Sequence, residues 1–267
     1  MSNNYFESRV TPSRVIMLHD IETDIGYGLQ TRGSRYLLKW DIVKKAIQYA
    51  LSDGVIFETL DQNSKYIFNP DVRITVDDGG ASSLEIADQL KDLNIKGYFF
   101  ITTKYIDKKN FLTKNQIKMI DSMGHEIGSH GHTHANPFCE LSNDELVNEV
   151  NFSQMLLEKL LKKKINIFSV PGGEIRNSTL TKLKDPQLCL NEIYTSVPVQ
   201  GFLSKNHSSN VLIYGRLCIE RNMTSDQIYN YFKGYDWFYP CLDYKVKRFR
   251  REILYKARSI FKQILRG

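Results

Sequence analysis

The chain has 267 residues, 42% of them hydrophobic and 12% aromatic, enough to bury one sizeable core. No run approaches the roughly 18 apolar residues that span a bilayer, and Met1 to Pro12 lack the apolar stretch of a secretory signal, so a cytoplasmic protein is expected. The net charge of +6 sits in the tail: from Lys245 to Arg266 nine Lys or Arg stand against Glu252 alone, which leaves −2 over residues 1–244.

In chain order, short apolar runs alternate with helical patterns. Val15 to Leu18, Ile74 to Val76, Tyr98 to Ile101, Ile165 to Val170, Ile193 to Val197 and Val211 to Tyr214 read as strands. Trp40 to Leu51, Ser83 to Leu93, Asn115 to Met123, Asp144 to Lys163 and Asp226 to Phe232 read as helices. Ser142 with Glu145 three residues on predicts a capping box at the head of the longest helix. The alternation predicts an α/β protein with a largely parallel sheet or barrel. No internal repeat or linker breaks it, so one catalytic domain over 1–244 is expected, followed by a basic helix over 245–267. Cys139, Cys189, Cys218 and Cys241 show no paired spacing, which predicts neither a thiolate metal site nor a disulfide framework.

Two clusters carry chemistry. Asp77 and Asp78 follow the apolar run Ile74-Thr75-Val76 and precede Gly79-Gly80. In parallel βα architectures reactive side chains gather at such strand ends, although an inert Asp-Gly turn has the same sequence. Downstream, His125, His130, His132 and His134 place four of the six histidines within ten positions. The spacing of four puts His130 and His134 on one side of a helical turn, close enough to share an ion. His132 is expected to point elsewhere and His125 to hydrogen-bond inside the protein. Two imidazoles and a carboxylate hold a divalent ion while leaving positions for water and substrate, and a second carboxylate beside them takes a proton from that water.

Together these residues resemble the polysaccharide deacetylases of carbohydrate esterase family 4. Thr75-Val76-Asp77-Asp78-Gly79 looks like the first motif of that family, and His130-Gly131-His132-Thr133-His134 with Asn136-Pro137 looks like the second. Gly97-Tyr98-Phe99-Phe100-Ile101 and His125-Glu126-Ile127-Gly128 are also similar. The resemblance implies a distorted (β/α) barrel and hydrolysis of an acyl group on a sugar. It further implies a divalent metal, usually Zn2+, on Asp78, His130 and His134, with Asp77 as general base. The same ligands also accept Co2+, Ni2+, Mn2+ or Fe2+.

The chain departs from the family in two places. Ser169 stands where the third motif has an arginine that orients the catalytic aspartate, within Phe168-Ser169-Val170-Pro171-Gly172-Gly173. A missing cation leaves Asp77 a stronger base unless Arg176 or Arg216 replaces it. Pro171, Gly172 and Arg216 are expected at the substrate. No late catalytic histidine matches either, which leaves His207 and His19 as candidate acids, each with a noncatalytic alternative.

In the tail, Val246, Phe249, Ile253, Ala257, Ile260 and Ile264 recur at steps of three and four among the cations. This basic amphipathic pattern fits an anionic membrane surface or a packed terminal helix, whereas the lack of a recognition motif argues against nucleic acid. The whole predicts a metal-dependent deacetylase acting on an acetylated amino sugar, nucleotide- or lipid-linked, in surface-polysaccharide biosynthesis. It would work in the cytoplasm or peripherally at the inner membrane face. The alternative is a noncatalytic carbohydrate-binding protein on the same scaffold.

Overall fold

The apolar runs pair as eight parallel strands in one curled sheet. The computed structural model describes residues 14–24, 26, 28–30, 34–60, 70–173, 175–204 and 211–247. In chain order the elements begin with β1 (Arg14–Leu18), β2 (Asp20–Ile21), β3 (Leu37–Leu38), α1 (Trp40–Ser52) and β4 (Val72–Val76). Next come α2 (Ser83–Asp92), β5 (Gly97–Ile101), α3 (Lys114–Ser122), β6 (Glu126–Ser129), α4 (Asn143–Leu161) and β7 (Ile167–Ser169). The described chain continues with α5 (Asn177–Leu183), β8 (Glu192–Tyr194), β9 (Phe202–Ser204), β10 (Leu212–Tyr214), β11 (Leu217–Cys218) and α6 (Ser225–Lys233). A helical run over 238–247 follows.

The sheet order is β11-β1-β4-β5-β6-β7-β8-β10-β9, with only β9 antiparallel. β10 pairs with β8, and β11 pairs with β1 far along the sheet, yet just Gly215 and Arg216 separate them in sequence. Two extended residues reach only about 7 Å. The sheet therefore curls until its parallel ends nearly meet: the alternation predicts a largely parallel sheet or barrel, and the distorted (β/α) form is the one that the family resemblance implies. Gly215 makes the crossing fit, since a Cβ there would lie 2.4 Å from Val199 Cγ2 and 2.6 Å from the Val199 carbonyl.

The helices pack outside the sheet around an apolar cluster that includes Ile47, Ile74, Leu90, Phe99 and Ile127. Inside the curl lie Val15, Tyr98, Phe100, Ile167, Tyr194 and Tyr214. Arg73 closes the lower end, paired with Glu58 at 2.7 Å and Glu192 at 3.0 Å, and donates to the Tyr194 hydroxyl at 2.6 Å. The predicted capping box is present: the Ser142 hydroxyl accepts from Glu145 N–H and the Glu145 carboxylate from Ser142 N–H. α4 stops at Lys162, which takes a left-handed φ of 58°.

One local expectation fails. Residues 130–134 form no helical turn, because β6 ends at Ser129 and the following loop takes left-handed backbone at Gly131 (φ 74°) and His134 (φ 60°). Pairing of β6 with both β5 and β7 holds the segment extended up to that point. Among the described residues no helix is long and apolar enough to cross a membrane. The basic tail beyond residue 247 lies outside the described residues.

Candidate metal centre and active site

The C-terminal ends of β1, β4, β6 and β7 deliver the candidate residues to one end of the curl. β4 ends at Val76, and the Asp77 N–H donates to the Leu18 carbonyl at 3.0 Å, tying the acidic pair to β1. Asp78 (φ 75°) and Gly79 (φ 78°) are both left-handed. Aspartate tolerates that backbone better than most residues and glycine adopts it freely, so the chain turns back within two residues.

Asp78, His130 and His134 converge. Each offers one ligand atom, and these atoms all lie within 4.8 Å of one another. Asp78 Oδ1 is 3.4 Å from His130 Nε2 and 3.3 Å from His134 Nε2. Two metal bonds of about 2.0–2.1 Å opened to a tetrahedral angle span roughly 3.3–3.4 Å, so these separations suit a zinc-sized ion. His130 Nδ1–H donates to the Ser169 carbonyl at 2.9 Å, which fixes the tautomer and leaves Nε2 as the donor to a metal. Burial pushes Asp78 up, but hydrogen bonds from His130 and His134 outweigh it and hold the carboxyl well below its ordinary range. Burial lowers His134, but the hydrogen bond and charge of Asp78 outweigh it and raise its pKa overall. The three residues fit a divalent ion by geometry and by donor chemistry.

Below this group Arg216 meets Asp77. Arg216 Nη1 and Nη2 donate to Asp77 Oδ1 and Oδ2, both at 2.7 Å, with the arginine side chain fully buried. Its other donors go to Thr75 Oγ1 (3.1 Å), Ser169 Oγ (2.8 Å) and the Thr195 carbonyl (3.0 Å). All five N–H bonds of the guanidinium thus end inside the protein. Arg216, expected at the substrate and also as a replacement cation, lines the cavity and pairs with Asp77, because the two-residue crossing from β10 to β11 carries it over the open end of the curl. The Ser169 hydroxyl donates to Asp77 Oδ2 at 3.0 Å. Where the sequence shows a missing arginine, the structure shows a serine working beside a relocated one. Burial raises Asp77, yet Arg216 and then His130 overcome it and keep the carboxyl below its ordinary value.

The remaining candidates divide. His19, at the end of β1, lines the same cavity of about 630 Å³ as Asp77, Asp78, His130 and His134. Its ring lies 4.6 Å from that of Tyr36, and burial lowers its pKa against the opposing pull of Asp78 and Asp77. Gly172 lines the cavity, while Pro171 is buried beside Gly131. Arg176 lies apart on Glu140 at 3.3 Å. His207 lies outside the described residues. His132 turns away onto Thr103 Oγ1 (2.9 Å) and Phe152, and His125 bonds Gly97 N–H and the Ala87 carbonyl.

Two contacts escape sequence reasoning. Glu149 of α4 accepts from His132 N–H, Thr133 N–H and the Thr133 hydroxyl at 2.7–2.9 Å, pinning the loop between the two histidines. Gln30 donates to Asp78 Oδ2 at 3.3 Å. Neither residue type nor spacing announces these partners, which lie 16–17 and 48 positions away.

Residues 69–188 match the family model described as polysaccharide deacetylase. Over that span the chain is similar to the polysaccharide deacetylase family. A solved polysaccharide deacetylase from Bacillus cereus is 20% identical with a TM-score of 0.66, covering 82% of this chain and 68% of that one. The deacetylase PplD of Streptococcus pyogenes, solved with acetate, is 18% identical with a TM-score of 0.67, over 84% and 98% of the two chains. A de-N-acetylase from Aggregatibacter actinomycetemcomitans is 17% identical with a TM-score of 0.63, over 82% and 98%. At these identities the likeness shows the fold. No curated protein matches the chain. As a polysaccharide deacetylase relative, the chain carries the acidic and histidine motifs inside the matched segment, whereas Arg216 and His19 lie outside it.

Proposed function

We propose that this chain is a metal-dependent hydrolase that removes an N-acetyl group from a sugar, with Asp78, His130 and His134 holding the ion. The observation that carries the reading is the pair of separations, 3.4 and 3.3 Å, from Asp78 Oδ1 to the two imidazole nitrogens, with Asp77 directly alongside. When bound there, a divalent ion, Zn2+ by family preference, supplies Lewis acidity to the acyl carbonyl and to a water.

The chain's own residues do the rest. Asp77 accepts three hydrogen bonds, two from Arg216 and one from Ser169. A carboxylate offers about four lone-pair sites, so one remains to take a proton from the attacking water. Arg216 keeps Asp77 ionised and fixes its plane. The departing nitrogen needs a proton, returned by Asp77 from the water or supplied by His19 in its protonated form, so acetate and a free amine leave. Gly172 forms part of the wall, and Tyr36 backs the His19 ring.

The substrate we favour is an acetylated amino sugar on a nucleotide or lipid carrier in surface-polysaccharide biosynthesis. The cationic tail supports this choice, because a diphosphate-linked sugar presents the negative charge that lysine and arginine bind. The test is acetate release from free, nucleotide-linked and lipid-linked N-acetyl sugars, with Zn2+, Co2+, Ni2+, Mn2+ or Fe2+ added to metal-stripped protein. Turnover that requires an added ion and disappears in His130→Ala and Asp78→Asn supports the reading. Tight sugar binding with no acetate under any ion would leave a noncatalytic carbohydrate-binding protein.

A further inference from the structure

The helical run over 238–247 has two opposite faces. Pro240, Asp243, Tyr244 and Lys247 line the active-site cavity. Phe238, Tyr239, Leu242 and Val246 are exposed, Phe238 by 70% and Tyr239 by 72%, and Tyr235 just before them by 58%. At about 100° per residue these four fall within roughly a 100° arc on the side away from the cavity. Solvent-facing aromatics of this size on a helix are unusual unless something apolar covers them.

We propose that this outer face docks the protein on an anionic lipid bilayer, with the helix lying between the membrane and the cavity that its inner face lines. Charge selects that occupant. Lys245 is exposed beside the stripe, and the sequence continues with Arg248, Arg250 and Arg251. The apolar pattern of the stripe, Phe238, Leu242 and Val246, is continued in phase by Phe249, Ile253, Ala257, Ile260 and Ile264 in the sequence. Aromatic and aliphatic side chains on one arc of a helix, in a stretch of sequence rich in lysine and arginine, suit the boundary between acyl chains and acidic headgroups. A second protein would need acidic complementarity of its own, and a second copy of this chain would bring cations against cations. Because one helix both lines the cavity and meets lipid, docking favours a sugar on a lipid carrier over a soluble nucleotide. That preference rests on the deacetylase reading, whereas the docking does not.

The experiment is flotation of the full-length protein with vesicles of phosphatidylcholine alone or with about one third phosphatidylglycerol. The parent and Asp77→Asn should float equally with the anionic vesicles and poorly with neutral ones, and added salt should weaken the binding. The triple variant Phe238→Ser, Tyr239→Ser, Leu242→Ser should lose at least about tenfold in partitioning with an unchanged thermal melt. In a second variant, Leu242→Trp, brominated lipid should quench the introduced fluorescence. Absence of parental binding, unaltered binding of the triple variant, or a dimer that dissolves with the same substitutions would overturn the proposal. A chain that docks but releases no acetate would overturn only the catalytic reading.

Discussion

Arg216 and Asp77, 139 residues apart in sequence, form a doubly hydrogen-bonded buried pair with both contacts at 2.7 Å. Ser169, from the position where the family carries its arginine, completes the set by bonding both partners at 2.8 and 3.0 Å. The cation comes from the crossing between β10 and β11, and the carboxylate it serves has stayed.

That relocation predicts a charge swap. Arg216→Ser leaves Asp77 buried without a counter-ion, which should cost about 3–5 kcal/mol of stability and lower kcat by roughly a hundredfold or more, with KM little changed. Adding Ser169→Arg to Arg216→Ser should return at least about a tenth of the lost activity and part of the stability. Thermal melts and kinetics of the two variants check this. A folded double variant no more active than Arg216→Ser would contradict the swap.

Glu149 touches no candidate ligand, yet it holds the loop on which His130 and His134 sit. Glu149→Gln keeps the shape and weakens the charge-assisted bonds to His132 N–H and Thr133 N–H. Zn2+ affinity, measured by competition with a chromophoric chelator, should fall about 10-fold or more. Full affinity in Glu149→Gln would show that the loop needs no clamp.

Asp20 carries a pH signature. It is fully buried, accepts from the Ser82 hydroxyl at 2.5 Å, and has no partner for Oδ2 among the described residues. Burial raises its pKa from 3.8 to about 7. Between those values the folded chain retains a proton that the unfolded chain has released, so the Asp20 contribution to stability is complete below about pH 4 and declines as pH rises towards 7. At about 1.4 kcal/mol per unit the decline amounts to a few kcal/mol. Asp20→Asn should flatten the fall of melting temperature across this window relative to the parent. Equal slopes for both proteins would place the titration elsewhere.

Much of this was legible in the sequence because it is local. All six expected strands and five expected helices have counterparts near their predicted limits, since apolar period and capping chemistry lie within a few residues of each other. The pairing of His130 with His134 was also anticipated, though for the wrong geometric reason: a loop with two left-handed residues, not a helical turn, brings the rings to 5.1 Å. β6 was hidden by its short run Glu126-Ile127-Gly128-Ser129, which has too few apolar residues to show a period. The place of Arg216 was not legible as such. It depends on the sheet curling until β10 and β11 sit two residues apart, a property of the whole barrel. Glu149 and Gln30 were silent for the same reason, as their partners are fixed by tertiary packing alone.

Acetate release by the Zn2+-loaded parent beside Zn2+-loaded Asp77→Asn tests the assembled site most directly, with metal content measured on the same samples. Both proteins should hold one ion through Asp78, His130 and His134, and Asp77→Asn should lose at least about a hundredfold in kcat. Undiminished acetate release from a fully loaded Asp77→Asn would contradict the role given to Asp77, and failure of the parent to bind the ion would contradict the metal centre itself.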